Sequence, residues 1–477
     1  MTGTRPDDRS LPSEPDLGDV EGVLRDLIAD LEPVSTSRRG VGRPAVLPAM
    51  CLWGGMVVCV LRGCSSQLAL WRLITQLGLW DYPRYALSDQ AIYHRLARDG
   101  TTGLVTLYTQ VSALLGERLA PHLPHLGPAL APFATDIIAL DETTLDPVAR
   151  RLPVRGDPAT RCPDATADAV GTTDSDMPRD TAAAPPDEAS SRASSGRRRL
   201  PGKVALVFDV RRQCCRRFEV ITDPHQHETV LATTLLDGLA RGTLILADLG
   251  YFRFPWFDEL TDRGFWWISR MRTHTSYRVE HTFLQHGDTF DGLVWLGAYR
   301  ADRAAHLVRL VQYRRGSQLH RYITNVRDPD MLSMADIVTL YARRWDIEMA
   351  IALIKQHLGL SLWWSTKDTV IHQQLIATML IAQILQALRL EIAVRAEVDI
   401  FDVSMPLLVR YLPLFAAQGE DPVAAIVERG HDAGFIRPSR RIRYTTPDPP
   451  LAPSEPIAIR TVIPIMRTPR YASQVAA

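Results

Sequence analysis

The sequence predicts an α/β protein: a sheet-centred core that carries an inserted β region and is flanked by all-α regions on its N- and C-terminal sides. Three observations carry this. From Phe133 to Arg272, apolar runs of strand length come as three strands and then alternate with helical patterns. From Thr273 to Asn325 the spacing changes to the alternation of antiparallel strands, and on both sides of this block apolar residues recur at three-to-four spacing. The composition agrees, since 477 residues with 46% hydrophobic and 23% charged side chains exclude a chain disordered throughout. Lysine plus arginine equals aspartate plus glutamate at 54 each, so net charge alone gives no reason to expect nucleic acid or membrane. Lysine is scarce: Lys203, Lys355 and Lys367 are the only ones.

In chain order, residues 1–19 are polar and acidic without a basic start and apolar core, which reads as a flexible leader rather than a secretory signal. Residues 20–132 are expected to form a helical N-terminal domain, with DNA binding as one reading of its role. In it, Ser88 is the expected N-cap of a short helix that sets Tyr93, His94 and Arg95 close together, with Arg38, Arg39 and Arg43 upstream. A helix-turn-helix reader of DNA and a solvated face of a small bundle are both open readings there. The apolar stretch Ala45 to Leu61 is interrupted by Pro48 and Gly54-Gly55 and falls short of the roughly 20 residues of a membrane span, so it reads as a buried core helix. The six cysteines show no zinc-ligand spacing, which points to reduced thiols in the cytoplasm.

The strand IIALDETTL ends at Asp141, and residues 147–202, rich in Asp, Ala, Thr, Ser, Pro and Arg, read as a disordered insertion. Such a span between neighbouring strands is tolerable because loop-closure cost grows slowly with length. KVALVFDV and RRFEVIT follow as strands, then HETVLATTLLDGLA as a helix, TLILADLG as a strand, FPWFDELTDRG as a helix and FWWISRMR as a strand. After the inserted β region, one long helix is expected from Met334 to His357. Further helices are expected over Val370 to Val398, Val403 to Phe415 and Pro422 to Glu428, before a basic, Pro-rich tail over 437–477 with Arg437, Arg440, Arg441 and Arg443.

The chemistry concentrates on the long helix. Tyr341, Arg344, Glu348 and Lys355 stand at offsets 0, 3, 7 and 14, which puts them within an arc of about 60° at 3.6 residues per turn. A guanidinium and an ammonium on that face suit phosphate oxygens, while a carboxylate suits a divalent ion. The bland alternative is a solvent-facing stripe of paired charges. Asp141 and Asp248 close two strands, where α/β sheets present ligands, although a lone strand-end aspartate is often a turn or cap residue. With Glu348 they make the set of hard oxygens that holds a pair of magnesium ions. Glu142 and Asp146 are reserve ligands.

With these residues the chain resembles the DDE cut-and-paste transposases of the insertion-sequence-four family. Tyr341, Arg344, Glu348 and Lys355 match their Y-x2-R-x3-E-x6-K motif without a gap, and LDETTL with Asp141, ADLGYF with Asp248, WWISRMR with Arg270 and KQHLGL surround it in order. The resemblance covers about residues 133–375. It implies a ribonuclease-H-like catalytic core over 133–272 plus 326–360, with 273–325 as the inserted β region. It further implies that Asp141, Asp248 and Glu348 bind two Mg2+ or Mn2+ ions, and that Tyr341, Arg344 and Lys355 grip DNA phosphates. The implied reaction is cutting at terminal inverted repeats, passage through a DNA hairpin, and attack of the freed 3′-hydroxyl on target DNA. The partner is then double-stranded DNA, bound by a homodimer through the C-terminal helical region 361–436, with no membrane. Arg270 and Arg95 are further candidates for DNA contact, and Trp267 and Trp295 for stacking on a flipped base, with core packing as their alternative. His225, His227 and Glu228 suggest a metal cluster or, more simply, the capping of a helix start, and Trp363-Trp364 should pack behind the catalytic helix. The alternative to an active enzyme is a non-catalytic, transposase-derived DNA-binding or regulatory protein.

Overall fold

The computed structural model describes residues 21–22, 24–25, 46–121, 130–145, 202–223, 225–226, 230–298, 303–360, 362–418 and 420–439. The expected leader, the Arg38, Arg39 and Arg43 cluster, Asp146, nearly all of the 147–202 insertion, His227, Glu228, Arg440, Arg441 and Arg443 lie outside the described residues.

Four helices come first: α1 (Ala49–Leu61), α2 (Gln67–Arg72), α3 (Asp89–Arg98) and α4 (Thr102–Leu119). The core strands are β1 (Ile137–Thr144), β2 (Lys203–Asp209) and β3 (Cys214–Ile221), followed by the short α5 (Ala232–Leu235), β4 (Leu244–Ala247), α6 (Phe254–Asp262) and β5 (Trp266–Arg270). The inserted strands are β6 (Tyr277–His286), β7 (Thr289–Leu296), β8 (Val308–Arg315) and β9 (Gln318–Thr324). Then come α7 (Met334–Ala342), α8 (Trp345–Ala352), α9 (Asp368–Arg395), α10 (Met405–Gln418) and α11 (Pro422–Arg429). This is the expected mixed α/β architecture with helical regions on either side.

All nine strands join one sheet in the order β3-β2-β1-β4-β5-β9-β8-β7-β6. β1, β2 and β3 run antiparallel, whereas β4 and β5 run parallel to β1. Ile137 and Ala139 belong to the core on one face and Ile138 and Leu140 to the core on the other. That period of two explains the unbroken apolar run: a strand covered by helices on both faces has no polar side to show. The inserted strands extend the same sheet, since β9 returns antiparallel beside β5 with Ile268 opposite Thr324. Within them Arg309 on β8 grips Asp291 on β7 through two bonds of 2.6 and 2.5 Å. Its third nitrogen donates to Leu332 O at 2.6 Å, one residue before the Ser333 cap of α7.

The N- and C-terminal helices share one core across a single face of the sheet. At its centre is α9, 28 residues long and apolar enough to cross a membrane, yet with 94% of its most apolar window buried inside the fold. The most membrane-like segment is therefore α9 rather than the Ala45 to Leu61 stretch, and glutamines explain its place. Gln373 donates to Leu96 O and Gly100 O at 2.9 and 2.6 Å, and Gln374 donates to Leu362 O at 2.8 Å while accepting from Trp364 N at 2.9 Å. Gln383 accepts from Cys215 N at 3.0 Å and donates to Cys215 O at 2.6 Å, holding edge strand β3. These bonds tie the buried helix to backbone groups inside the fold, which a lipid-facing helix could not reach.

Two expected helices are corrected. HETVLATTLLDGLA keeps only Ala232–Leu235 as α-helix among its described residues. Thr234 Oγ1 bonds back to Leu231 O at 3.0 Å, and Leu236 and Asp237 close tighter turns onto Thr233 and Thr234. The long helix from Met334 to His357 is divided. After α7, Arg343 and Arg344 bond to carbonyls three residues back, and Leu353–His357 then winds more loosely as a π-helix. The tight turn follows Asp346, whose carboxylate takes Arg343 Nε at 2.6 Å and Gln213 Nε2 at 2.8 Å. Overwinding at Arg343 is offset by underwinding at Lys355.

Candidate active site

β1 and β4 pair only as far as Ala139 and Leu246, whereas β1 continues beside β2 to Thr144. The two parallel strands thus part at their carboxyl ends and leave a cleft there. Asp141 lies two residues past the last β1–β4 pair, and Asp248 directly follows β4. Glu348 comes from the first turn of α8, and its side chain is about one-third exposed at 34%.

Arg344 joins the three. Its side chain is only 8% exposed, its Nη2 donates to Glu348 Oε1 at 2.6 Å, and its Nε stands 3.7 Å from Asp248 Oδ1. Burial alone would lower the Arg344 pKa, but the fields of Asp248, Tyr341 and Glu348 carry it upward. Asp141 feels the same neighbours. Burial pushes its carboxyl up to about 6; the Glu142 amide and Arg344 oppose this, while Glu348 and Asp248 add to it. The Glu142 amide bond to Asp141 Oδ1 is 2.8 Å long. Three acids and one guanidinium therefore lie within electrostatic reach of one another.

Tyr341 and Lys355 hold the two strand ends. Tyr341 is buried, its hydroxyl donates to Ala247 O at 3.3 Å, and its ring meets Tyr322 at 5.0 Å. Burial raises this phenol, so it stays protonated. Lys355 Nζ donates to Thr144 O at 2.6 Å, three residues beyond Asp141. Tyr341 and Lys355 thus touch strand ends of the cleft, and Arg344 joins Glu348 to Asp248.

Beside the cleft opens a cavity of about 840 Å3 whose lining includes Arg253, Arg270, Arg272, Arg321 and His274. None of these four arginines pairs with a carboxylate among the described residues, in contrast to Arg212, Arg216, Arg217, Arg263, Arg309, Arg314 and Arg343. Arg272 lies over the Phe252 ring at 5.3 Å and donates to Leu249 O at 3.0 Å. Arg270 was a sequence candidate and Arg272 lies two residues beyond it; Arg253 and Arg321 come from separate segments that only the fold brings together.

The remaining candidates are placed as follows. Trp267 is fully buried, stacked on Phe257 at 4.3 Å with its Nε1 bonded to Thr261 Oγ1 at 3.0 Å, a core position. Trp295 is half-buried on β7 opposite Arg278. Arg95 is engaged with Asp99 and with Leu47 O at 3.0 Å, and Ser88 caps α3 as expected. Glu142 stands 3.7 Å from Lys203. His225 takes part in a turn, its N–H bonded to Asp223 Oδ1 at 2.9 Å, and Trp363 is buried in the helical core. The sequence reading passed over Trp345 and Met349, exposed at 53% and 59% on the helix that carries Glu348.

Asp141, Asp248 and Glu348 offer only hard oxygens, and Asp141, raised mainly by burial and further by the fields of Glu348 and Asp248, is a carboxyl whose ionised form a divalent cation would favour. The donor chemistry fits magnesium or manganese. As the side chains lie, no three His, Cys, Asp or Glu groups converge closely enough to hold a metal ion among the described residues.

Residues 155–385 match the family described as the transposase DDE domain. That span contains Asp248, Glu348, Tyr341, Arg344 and Lys355, whereas Asp141 precedes it and owes its place in the cleft to the sheet. Among curated proteins, the chain is 25% identical over 186 residues to "Putative transposase y4zB" of Sinorhizobium fredii (strain NBRC 101917 / NGR234), covering 37% of this chain. The chain spans about half of that relative, 51% of its length. Among solved structures, the cryo-EM structure of the piggyBac transposase synaptic complex with hairpin DNA aligns over 88% of this chain and 84% of its own, at 10% identity and a TM-score of 0.36. That likeness is too distant to assign residue roles.

Proposed function

We propose that this chain is a DNA transposase with a DDE active site, which cuts an element at its terminal inverted repeats and joins the freed 3′-hydroxyl ends to target DNA. The observation that carries this is the gathering of Asp141, Asp248 and Glu348 around Arg344 at the parting of β1 and β4. The transposase DDE match over residues 155–385 supports it. The strand order β3-β2-β1-β4-β5, three strands antiparallel and two parallel to the first, supports a ribonuclease-H-like core. In this reading the enzyme is of the insertion-sequence-four type, works as a DNA-bound homodimer that holds two element ends, and acts in the bacterial cytoplasm.

Two Mg2+ or Mn2+ ions held by Asp141, Asp248 and Glu348 would activate the attacking oxygen and stabilise the departing one. The chain's own residues do the rest. Arg344, charged and nearly buried, presents a planar fork that a phosphate can take in place of Glu348. Glu348 is thereby released toward the aspartates. Lys355 holds β1 through Thr144 and adds a second positive charge at the rim. The cavity with Arg253, Arg270, Arg272 and Arg321 offers unpaired charge for the backbone leading away from the cut bond.

The test is cleavage of a labelled duplex bearing the element's own terminal repeat, with Mg2+ and with EDTA, by wild type and Glu348→Gln. Release of a 3′-hydroxyl by wild type in Mg2+ only, lost in the variant while both still bind, is the expected result. Binding without cleavage by wild type would make the chain a non-catalytic DNA-binding protein instead.

A further inference from the structure

The end of α1 brings two thiols together at a distance in sequence from every residue of the cleft. Gly63 has φ +67°. Its N–H bonds Val60 O at 3.0 Å, and the next N–H, of Cys64, reaches back to Cys59 O at 2.7 Å. These nested bonds form a Schellman stop, in which the side chain three positions before the helix end meets the one just beyond the glycine, commonly as an apolar contact. Here both positions are cysteines. Cys59 is fully buried, Cys64 is half-buried, and the two thiols hydrogen-bond to each other. That bond, helped by Arg62, brings Cys64 down to about 7 against the effect of burial, while Cys59 is raised. Of the other described thiols, Cys51 and Cys215 are buried, and Cys214 is half-buried; burial pushes Cys214 up and Cys215 up to about 12.

We propose that Cys59 and Cys64 are a redox-active dithiol that closes to a disulfide on meeting a small-molecule disulfide, with Cys64 as the attacking thiol and Cys59 as the resolving one. The Cys64 thiolate attacks one sulfur of the small disulfide, breaks its S–S bond and expels one thiolate, which takes up a proton. Cys59 attacks Cys64 Sγ and breaks the mixed disulfide, and its proton passes to the departing thiolate, which leaves as the second small thiol. Two protein thiols are oxidised and one small disulfide is reduced to two thiols. The nested backbone bonds of the stop hold the two residues side by side across the glycine turn, the placement that a bridge requires. Three residues on, Gln67 Nε2 bonds Trp364 O at 3.0 Å, in the segment that follows the helix bearing Glu348 and Lys355. The dithiol thus lies three residues before a bond that ties the N-terminal helices to the segment following the π-helix with Lys355.

The test treats the full chain with oxidised glutathione at neutral pH, blocks free thiols with N-ethylmaleimide, and reads the peptides containing residues 59 and 64 by mass. Wild type should lose two hydrogens there and retain no glutathione. Cys59→Ser should keep glutathione on Cys64, and Cys64→Ser should take up none at either position. Wild type that retains glutathione on Cys64 as Cys59→Ser does would overturn the resolving role. Wild type left unmodified at both positions would overturn the dithiol altogether, and both results are read without relying on any variant to fold.

Discussion

Asp141 is held where its charge is unwelcome. A carboxyl raised to about 6 by burial and by two neighbouring carboxylates stabilises the fold only in its protonated form. That contribution is complete below the ordinary carboxylate range and is lost as pH rises through about 6. Asp141→Asn should therefore raise the melting temperature in EDTA at pH 7.5, with a gain on the order of 1–3 kcal/mol, and the gain should vanish near pH 4. Thermal melts of both proteins across that range check it; a variant no more stable at pH 7.5 would mean that burial and the neighbouring acids do not raise the Asp141 carboxyl. The same substitution should abolish cleavage. This residue was legible in the sequence, because LDETTL ends an apolar run and an acid stands out there, although β1 runs on past it to Thr144 and only its pairing with β4 stops short of Asp141. Its raised pKa was not, since burial and the nearness of Glu348 belong to tertiary structure.

At the level of elements, the inserted strands are bolted to the helix that leads to the site. Arg309 is fully buried, paired with Asp291 and bonded to Leu332 O just ahead of the α7 cap. Asp291→Ala leaves that guanidinium buried without its counter-charge and should cost about 3–5 kcal/mol. Replacing both, as Asp291→Leu with Arg309→Met, should cost clearly less, and urea unfolding of the three proteins distinguishes the cases. A single variant no worse than the double would show that the pair contributes little. The cavity arginines act differently. Arg272→Gln should weaken DNA binding about equally for all sequences and reduce the slope of log affinity against log salt by about 1, measured by fluorescence anisotropy. An unchanged slope would remove Arg272 from the DNA path. The Tyr-Arg-Glu-Lys spacing was readable because it lies in one continuous helical pattern, although the structure spreads it over α7, α8 and the π-helix Leu353–His357. Arg253 and Arg321 were not, because charges on separate strands and turns share no period.

At the scale of the molecule, strand order explains what the sequence could and could not tell. Runs such as KVALVFDV and TLILADLG announced strands because both their faces are covered, and the antiparallel insertion announced itself by alternation. That β9 would return beside β5 and make one nine-stranded sheet was not written in either pattern, since pairing partners leave no periodic trace. Nor did the helical pattern show that the N-terminal helices are only half of a core completed by α9. The glutamines of α9 reach backbone groups at Leu96, Gly100 and Cys215, residues made long before it. A chain still being synthesised must therefore carry α1 and α4 with their apolar faces uncovered until more than 240 further residues have followed. A chain stopped after residue 360 should remain open to protease across α1 and α4, where the full chain resists. A truncated chain as resistant as the full one would show that the first helices finish on their own; otherwise the earliest part of this protein to be made is among the last to settle.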